Sequence, residues 1–213
     1  MFGSLFGKKD TGPSLPKAPE VLGLFLGGRF KIDPLKLRLI EPDLIIEGAA
    51  SDQIIQAVGV IDLDPHTQIL RFYTDDDGFL QVLQNGGKGD EYVADVKLWY
   101  FFETRSVGND WEQVLRHHIS MPDYTLDGHS FTRSWASAGS DNPPVAMTEK
   151  TYHLDGSVSQ TDQFLMLYER QANQILAEYL TLAGEESERD GVLERNLVIC
   201  TGFDLSAADF AAN

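Results

Sequence analysis

One cysteine, Cys200, is all that 213 residues provide, so no disulfide can form within the chain. It lies in the apolar run 196–201 (NLVICT), where a buried, reduced thiol is expected, and this points to a reducing compartment. Basic residues are also scarce. There are 17 Lys and Arg against 33 Asp and Glu, a net charge of −16. The imbalance is uneven: residues 1–40 carry +4 and the remainder −20. A body that acidic repels phosphate backbones, which argues against nucleic acid and favours a protein partner. Long hydrophobic runs are missing too. The longest, residues 21–28, is too short for a membrane helix, and the N-terminus shows no secretory hydrophobic stretch. The expectation is a cytoplasmic protein, soluble or peripheral to a membrane.

Strand-forming sequence is what the chain has in quantity. The block 68–104 places two runs rich in Leu, aromatic and β-branched residues, 68–74 and 79–84, on either side of Asp75-Asp76-Asp77-Gly78. Asp-Gly between apolar runs signals a hairpin, with glycine expected to supply a positive φ. Residues 96–102 follow, with Trp99, Tyr100, Phe101 and Phe102 in succession. Four adjacent rings predict a central strand covered on both faces. Further strands are read over 35–40, 44–47, 54–62, 145–154 and 193–203. Residues 163–183 fit either one long helical face or two strands, 164–171 and 178–183; the neighbouring strands favour the hairpin. Residues 185–190 read as an acidic turn, 121–144 as irregular chain anchored by Phe131 and Trp135, and 206–213 as a short helical or frayed tail.

One helix stands out, over 109–120. Trp111, Val114, Leu115, His118 and Ile119 share a face at helical spacing, and Asn109 with Glu112 resembles a capping box. The composite prediction is an α+β fold, predominantly antiparallel β sheet of meander or sandwich type, with one or two helices. Residues 1–20 are expected to form a flexible basic and apolar tail and linker, and 21–213 a single β-rich domain. Within the tail, Phe2, Leu5 and Phe6 are followed by Lys8 and Lys9, a small basic amphipathic segment suited to docking on a membrane or a partner.

Motifs of established chemistry fail on spacing. Asp75–Asp77 lack the acids at Tyr73 and Gln84 that a calcium loop requires. The run 84–89 (QNGGKG) lacks the Ser or Thr and the upstream glycine of a phosphate loop, and Gly23, Gly27 and Gly28 match no dinucleotide fingerprint. No cofactor is therefore expected. His117, His118 and His129 form the only cluster with metal-ligating residue types, accompanied by Asp123 and Asp127. Their spacing matches no zinc pattern, and His118 is expected to face the core while His117 faces solvent.

Several short stretches carry a resemblance. Leu22-Gly23-Leu24 with Gly27-Gly28-Arg29, Arg71-Phe72-Tyr73 running into Asp75–Gln81, Lys97–Phe101 and Tyr168-Glu169-Arg170 resemble the YjfK-like family of uncharacterised bacterial proteins, a domain of unknown function, from Val21 onward. The resemblance implies a bacterial cytosolic protein and brings no catalytic residues. It also implies gene neighbours of the membrane-stress type, which adds interest to the N-terminal segment at the inner membrane. The expected function is a non-enzymatic protein-binding module, with a protein partner or a second copy of the chain and peripheral membrane contact through its N-terminus. The alternative is an enzyme whose His/Asp site assembles around His117, His118 and His129.

Overall fold

Alternation at period two organises the chain. Along β3 (Thr67–Thr74) Leu70 and Phe72 face one side of the sheet, and Arg71 and Tyr73 the other. The structure, a computed structural model, describes residues 17–135, 142–189 and 191–213. Its strands are β1 (Arg29–Ile32), β2 (Asp52–Asp64), β3, β4 (Gly78–Asn85), β5 (Val93–Ser106), β6 (Asp123–Leu126), β7 (His129–Arg133), β8 (Val145–His153), β9 (Val158–Gln171), β10 (Ala177–Arg189), β11 (Val192–Asp204) and β12 (Phe210–Ala212). All pairs are antiparallel. Eight of the strands, in the order β2-β3-β4-β5-β11-β10-β9-β8, close on themselves through β2 and β8, with Ala57 opposite His153 and Val60 opposite Lys150. The antiparallel β-rich expectation holds. The meander or sandwich is replaced by a closed barrel, because the ends of the sheet pair and leave no open edge there.

Alternation gives the barrel two surfaces, and both are packed. The outward Val58, Leu70, Phe72, Leu80, Val82 and Leu98 are covered by the chain before β2, through Ala18, Leu24, Phe30, Ile32 and Leu37. On the opposite side the outward Met166, Tyr168, Leu180, Leu182 and Ile199 are covered by Val114, Ile119, Leu126 and Phe131. These come from helix α2 (Trp111–Gln113), its π-helical continuation Val114–Ile119, and the β6–β7 hairpin. The Tyr168 hydroxyl is within hydrogen-bond reach of the Ile119 and Met121 carbonyls, at 2.7 and 2.8 Å, so the polar tip of a buried ring pins the cover to the barrel.

Turn chemistry explains the hairpins, though not always as the sequence suggested. Asp64 accepts from the His66 amide at 2.8 Å across the β2–β3 turn. In the β3–β4 turn the positive φ belongs to Asp77, at 50°, rather than to Gly78. Gly78 is needed for space, since a Cβ there would lie 2.3 Å from the Trp99 carbonyl. The neighbouring acids are structural. Asp75 accepts from the Ile54 amide at 2.7 Å, and Asp76 from the Ala50 amide at 2.8 Å and the Gln53 side chain at 3.2 Å. Residues 163–183 are indeed a hairpin, whose turn is held by Asn173 Oδ1 accepting from the Ile175 and Leu176 amides at 2.9 Å each.

Several sequence expectations are corrected. The chain over 35–40 is helix α1 (Pro34–Ile40), not a strand, because Asp33 caps it by accepting from the Leu35 amide and Pro34 fixes its first turn. Residues 44–47 form no strand; Leu44 and Ile46 are buried in irregular chain, whose Ile45 amide donates to Glu178 at 2.7 Å. The helix over 109–120 begins one residue after Asp110, without a side-chain cap, and its π-helical part turns His118 into solvent. Phe131 is fully buried within the β6–β7 hairpin, and Trp135 is 37% exposed. The segment 206–213 contributes β12, paired with β1, and Glu185–Glu188 belong to β10 rather than to a turn. Strand β5 is central, but Phe101 and Phe102, just past its midpoint, are 40% and 45% exposed rather than covered. The basic apolar segment 1–9 lies outside the described residues.

Close packing inside the barrel makes one glycine diagnostic. A Cβ at Gly202 would sit 2.6 Å from the Trp99 ring and 2.7 Å from the Leu98 carbonyl. Gly202→Ala should therefore lower stability by about 1–3 kcal/mol, as overpacked cores do. Urea unfolding followed by tryptophan fluorescence measures it, and an unchanged midpoint would contradict this packing.

Candidate functional site

Inward-facing positions of the barrel strands carry more polarity than a small barrel needs. The apolar part of the interior is formed by Phe79, Trp99, Leu165, Ala183, Val198 and Cys200. Beside it lies a hollow of about 320 Å³, walled by Tyr73, Phe79 and Phe101 and by a charged group of Arg71, Glu149 and Glu185 with Gln163. Ala57, Thr151, His153 and Thr161, all half-buried, and the exposed Ser159 line its solvent-facing end. A larger hollow of about 840 Å³ lies on the outer surface, but its Lys88 and Asp62 form a 3.5 Å pair about two-thirds exposed. Charges in that position are weakly organised by each other. The interior is the better candidate site.

Four strands of the barrel, β3, β8, β9 and β10, bring the charged group together. Arg71 on β3 donates from Nη1 to Glu149 Oε2 at 2.8 Å and to Gln163 Oε1 at 2.9 Å, and from Nε to Gln81 at 3.2 Å. Glu149 on β8 also accepts from the Tyr73 hydroxyl at 2.7 Å and from Gln163 Nε2 at 3.0 Å. The same Gln163 Nε2 reaches Glu185 Oε1 on β10 at 3.1 Å. Gly59 on β2 makes the arrangement possible, since a Cβ there would fall 1.7 Å from Glu149 Oε1. Further along the interior face, Lys97 bonds Asp95 at 2.9 Å and Asp204 at 2.5 Å and lies over the Tyr179 ring.

Burial sets the proton affinities of this group. It pushes the Glu185 carboxyl up to about 7, helped by the nearby charge of Glu149 and opposed by Arg71. The Tyr73 phenol is raised well above its usual value by burial, then by Glu149. Burial also lifts the Cys200 thiol to about 12, so it is a neutral side chain at physiological pH rather than a nucleophile. Among the described residues, three donor groups serve Glu149, from Arg71, Tyr73 and Gln163, whereas one neutral amide, that of Gln163, serves Glu185.

Sequence-selected residues lie elsewhere. His117 and His118 are exposed on the π-helical turn and His129 is exposed at the start of β7. Among the described residues, no group of three or more His, Cys, Asp or Glu is placed to hold a metal ion. Phe2, Leu5, Phe6, Lys8 and Lys9 fall outside the described residues. The interior group went unnoticed in the sequence, although Arg71 sits in the middle of an apolar strand and was a usable signal.

Two predictions follow from the buried charges. Arg71→Met strands Glu149 without its cation and should cost about 3–5 kcal/mol, much of it recovered in the Arg71→Met/Glu149→Met double variant. Equilibrium unfolding of the four proteins of that cycle measures the coupling. Glu185 binds its proton more tightly folded than unfolded. Its contribution is therefore lost as pH rises from about 4.5 to about 7 and is constant outside that window. Relative to Glu185→Gln, the wild-type chain should lose up to about 3 kcal/mol across it. Parallel urea titrations at a series of pH values, with no change between the two proteins, would count against the interior, half-buried position of Glu185.

Comparison with known proteins places the chain among relatives without defining its chemistry. No solved structure matches it. It is 34% identical over 196 residues to the uncharacterized protein YjfK of Escherichia coli (strain K12), covering 89% of this chain and 87% of that protein. The family model described as "Protein of unknown function (DUF2491)" matches residues 1–211. The chain thus belongs to the DUF2491 family, as its resemblance to YjfK-like proteins implied.

Proposed function

We propose that this chain is a non-enzymatic binding module that holds a small organic molecule inside its barrel. The observation that carries the reading is the hollow of about 320 Å³ beside a buried, hydrogen-bonded charged group. Apolar residues of similar volume generally serve stability as well as a buried ion pair does or better, so such a group calls for a further role. The hollow lies at the lower end of the size range of ligand pockets, about 300–1,000 Å³, and it combines aromatic walls with a few converging polar groups. This keeps the binding-module expectation but moves the bound species from a protein to a small molecule.

One observation favours an enzyme instead. A carboxyl group poised near neutrality in a cavity is suited to general acid–base work, and Glu185 is such a group. A bound compound that is altered by the wild-type chain but not by Glu185→Gln would move the reading to catalysis.

The binding reading is tested by thermal unfolding of the dialysed full chain against a panel of small metabolites. A true ligand at a hundredfold its Kd adds about 2.7 kcal/mol, raising Tm by about 5–10 °C for a chain of this size. Ala57→Trp and Thr161→Trp, each of which narrows the entrance, should abolish the shift while leaving the unliganded protein folded. Shifts that persist in both variants, or a panel that produces none, would overturn the proposal.

A further inference from the structure

We propose that the interior site is built for a protonated primary amine, whose ammonium group occupies the place beside Glu185 that no side chain among the described residues fills; this rests on reading the interior as a ligand site. The two interior glutamates are served unequally. Among the described residues, Glu149 accepts from Arg71, Tyr73 and Gln163, whereas Glu185 accepts only from Gln163 Nε2. Arg71 is committed to Glu149 at 2.8 Å, so Arg71, Glu149 and Glu185 leave one negative charge without a cation. Buried charge of that kind is resolved by a proton or by a counter-ion.

The wall opposite suits the organic part of such a ligand. Tyr73, Phe79 and Phe101 form a continuous aromatic surface, with centroid separations of 5.2 Å between Tyr73 and Phe79 and 5.7 Å between Phe79 and Phe101. Ring faces attract cations and pack against alkyl chains. An anion is disfavoured, since Arg71, the cation that lines the hollow among the described residues, is already paired and two carboxylates face the hollow.

Binding of an ammonium ion then competes with a proton. The groups around Glu185 are Glu149 and, nearer the entrance, His153 on β8, Arg71 and Tyr73 on β3, Gln163 on β9 and Cys200 on β11. Tyr73 and Cys200 are held neutral by burial. His153 is hydrogen-bonded to the Ser159 hydroxyl at 2.9 Å. Glu185 gains its proton as pH falls through about 7, so affinity for the amine should fall on the acid side.

The test uses three probes of one length, hexylamine, hexanol and hexanoate, with the full chain and saturation-transfer NMR. Hexylamine should bind at least about tenfold tighter than hexanol, the order expected of a charge-assisted hydrogen bond. Its affinity should weaken about tenfold per pH unit below the Glu185 transition. Glu185→Gln keeps the acceptor for Gln163 and should erase both the preference for hexylamine over hexanol and the pH dependence. A pH dependence that survives Glu185→Gln overturns the role of Glu185. Hexanoate or hexanol binding as well as hexylamine would overturn the amine class while the binding reading stood. Failure of all three to bind in a way blocked by Ala57→Trp would overturn both.

Discussion

Everything in this molecule depends on four residue pairs between β2 and β8, from Ala57 opposite His153 to Val60 opposite Lys150. They convert a sheet into a barrel. Without them β2 and β8 would each present an unpaired edge, and the inward positions would face water. Gly59 lies in this seam, and its missing side chain is filled by the carboxylate of Glu149. Closure and site construction are therefore one event: the pairing that seals the barrel also presses Glu149 toward Arg71 on the far side of β2.

The interior is a compromise between packing and polarity. Trp99, stacked at 6.2 Å from Phe79 and accommodated by Gly202, fills part of it tightly. The rest is occupied by charged groups that hold each other across β3, β8, β9 and β10. Such an arrangement is rigid where it is saturated, at Glu149, and unfinished where it is not, at Glu185. The unfinished end is the one next to the hollow. In the outer layers polarity has a different use, since Arg170 binds both Glu178 and the Asp43 carbonyl and so ties the irregular chain before β2 to the barrel wall.

Legibility in the sequence followed the range of the interactions. The hairpins of β3–β4 and β9–β10 were readable because their apolar runs and turn residues are neighbours in the chain. Residues 35–40 misled because the alternating Leu35, Leu37 and Leu39 imitate a strand, while the Asp33-Pro34 cap decides for helix. Glu185 was hidden in an acidic stretch, where its composition spoke of solvent. Its position on an inward face follows from register with Asn196 and Gln163, which no local pattern encodes.

By itself, then, the sequence determined an acidic, antiparallel β-rich chain with a buried thiol and a strand of unusual aromatic weight, and its motifs placed it beside the YjfK-like proteins. These are properties of composition, period-two alternation and turn residues, each set within a few positions of the chain. Only the tertiary structure decided that the sheet closes, that residues 206–213 supply a strand, that the histidines stay apart on the surface, and that Arg71, Glu149, Gln163 and Glu185 meet. Those outcomes rest on pairings between residues as many as 182 positions apart, such as Phe30 opposite Ala212, and alternation leaves such long-range register open.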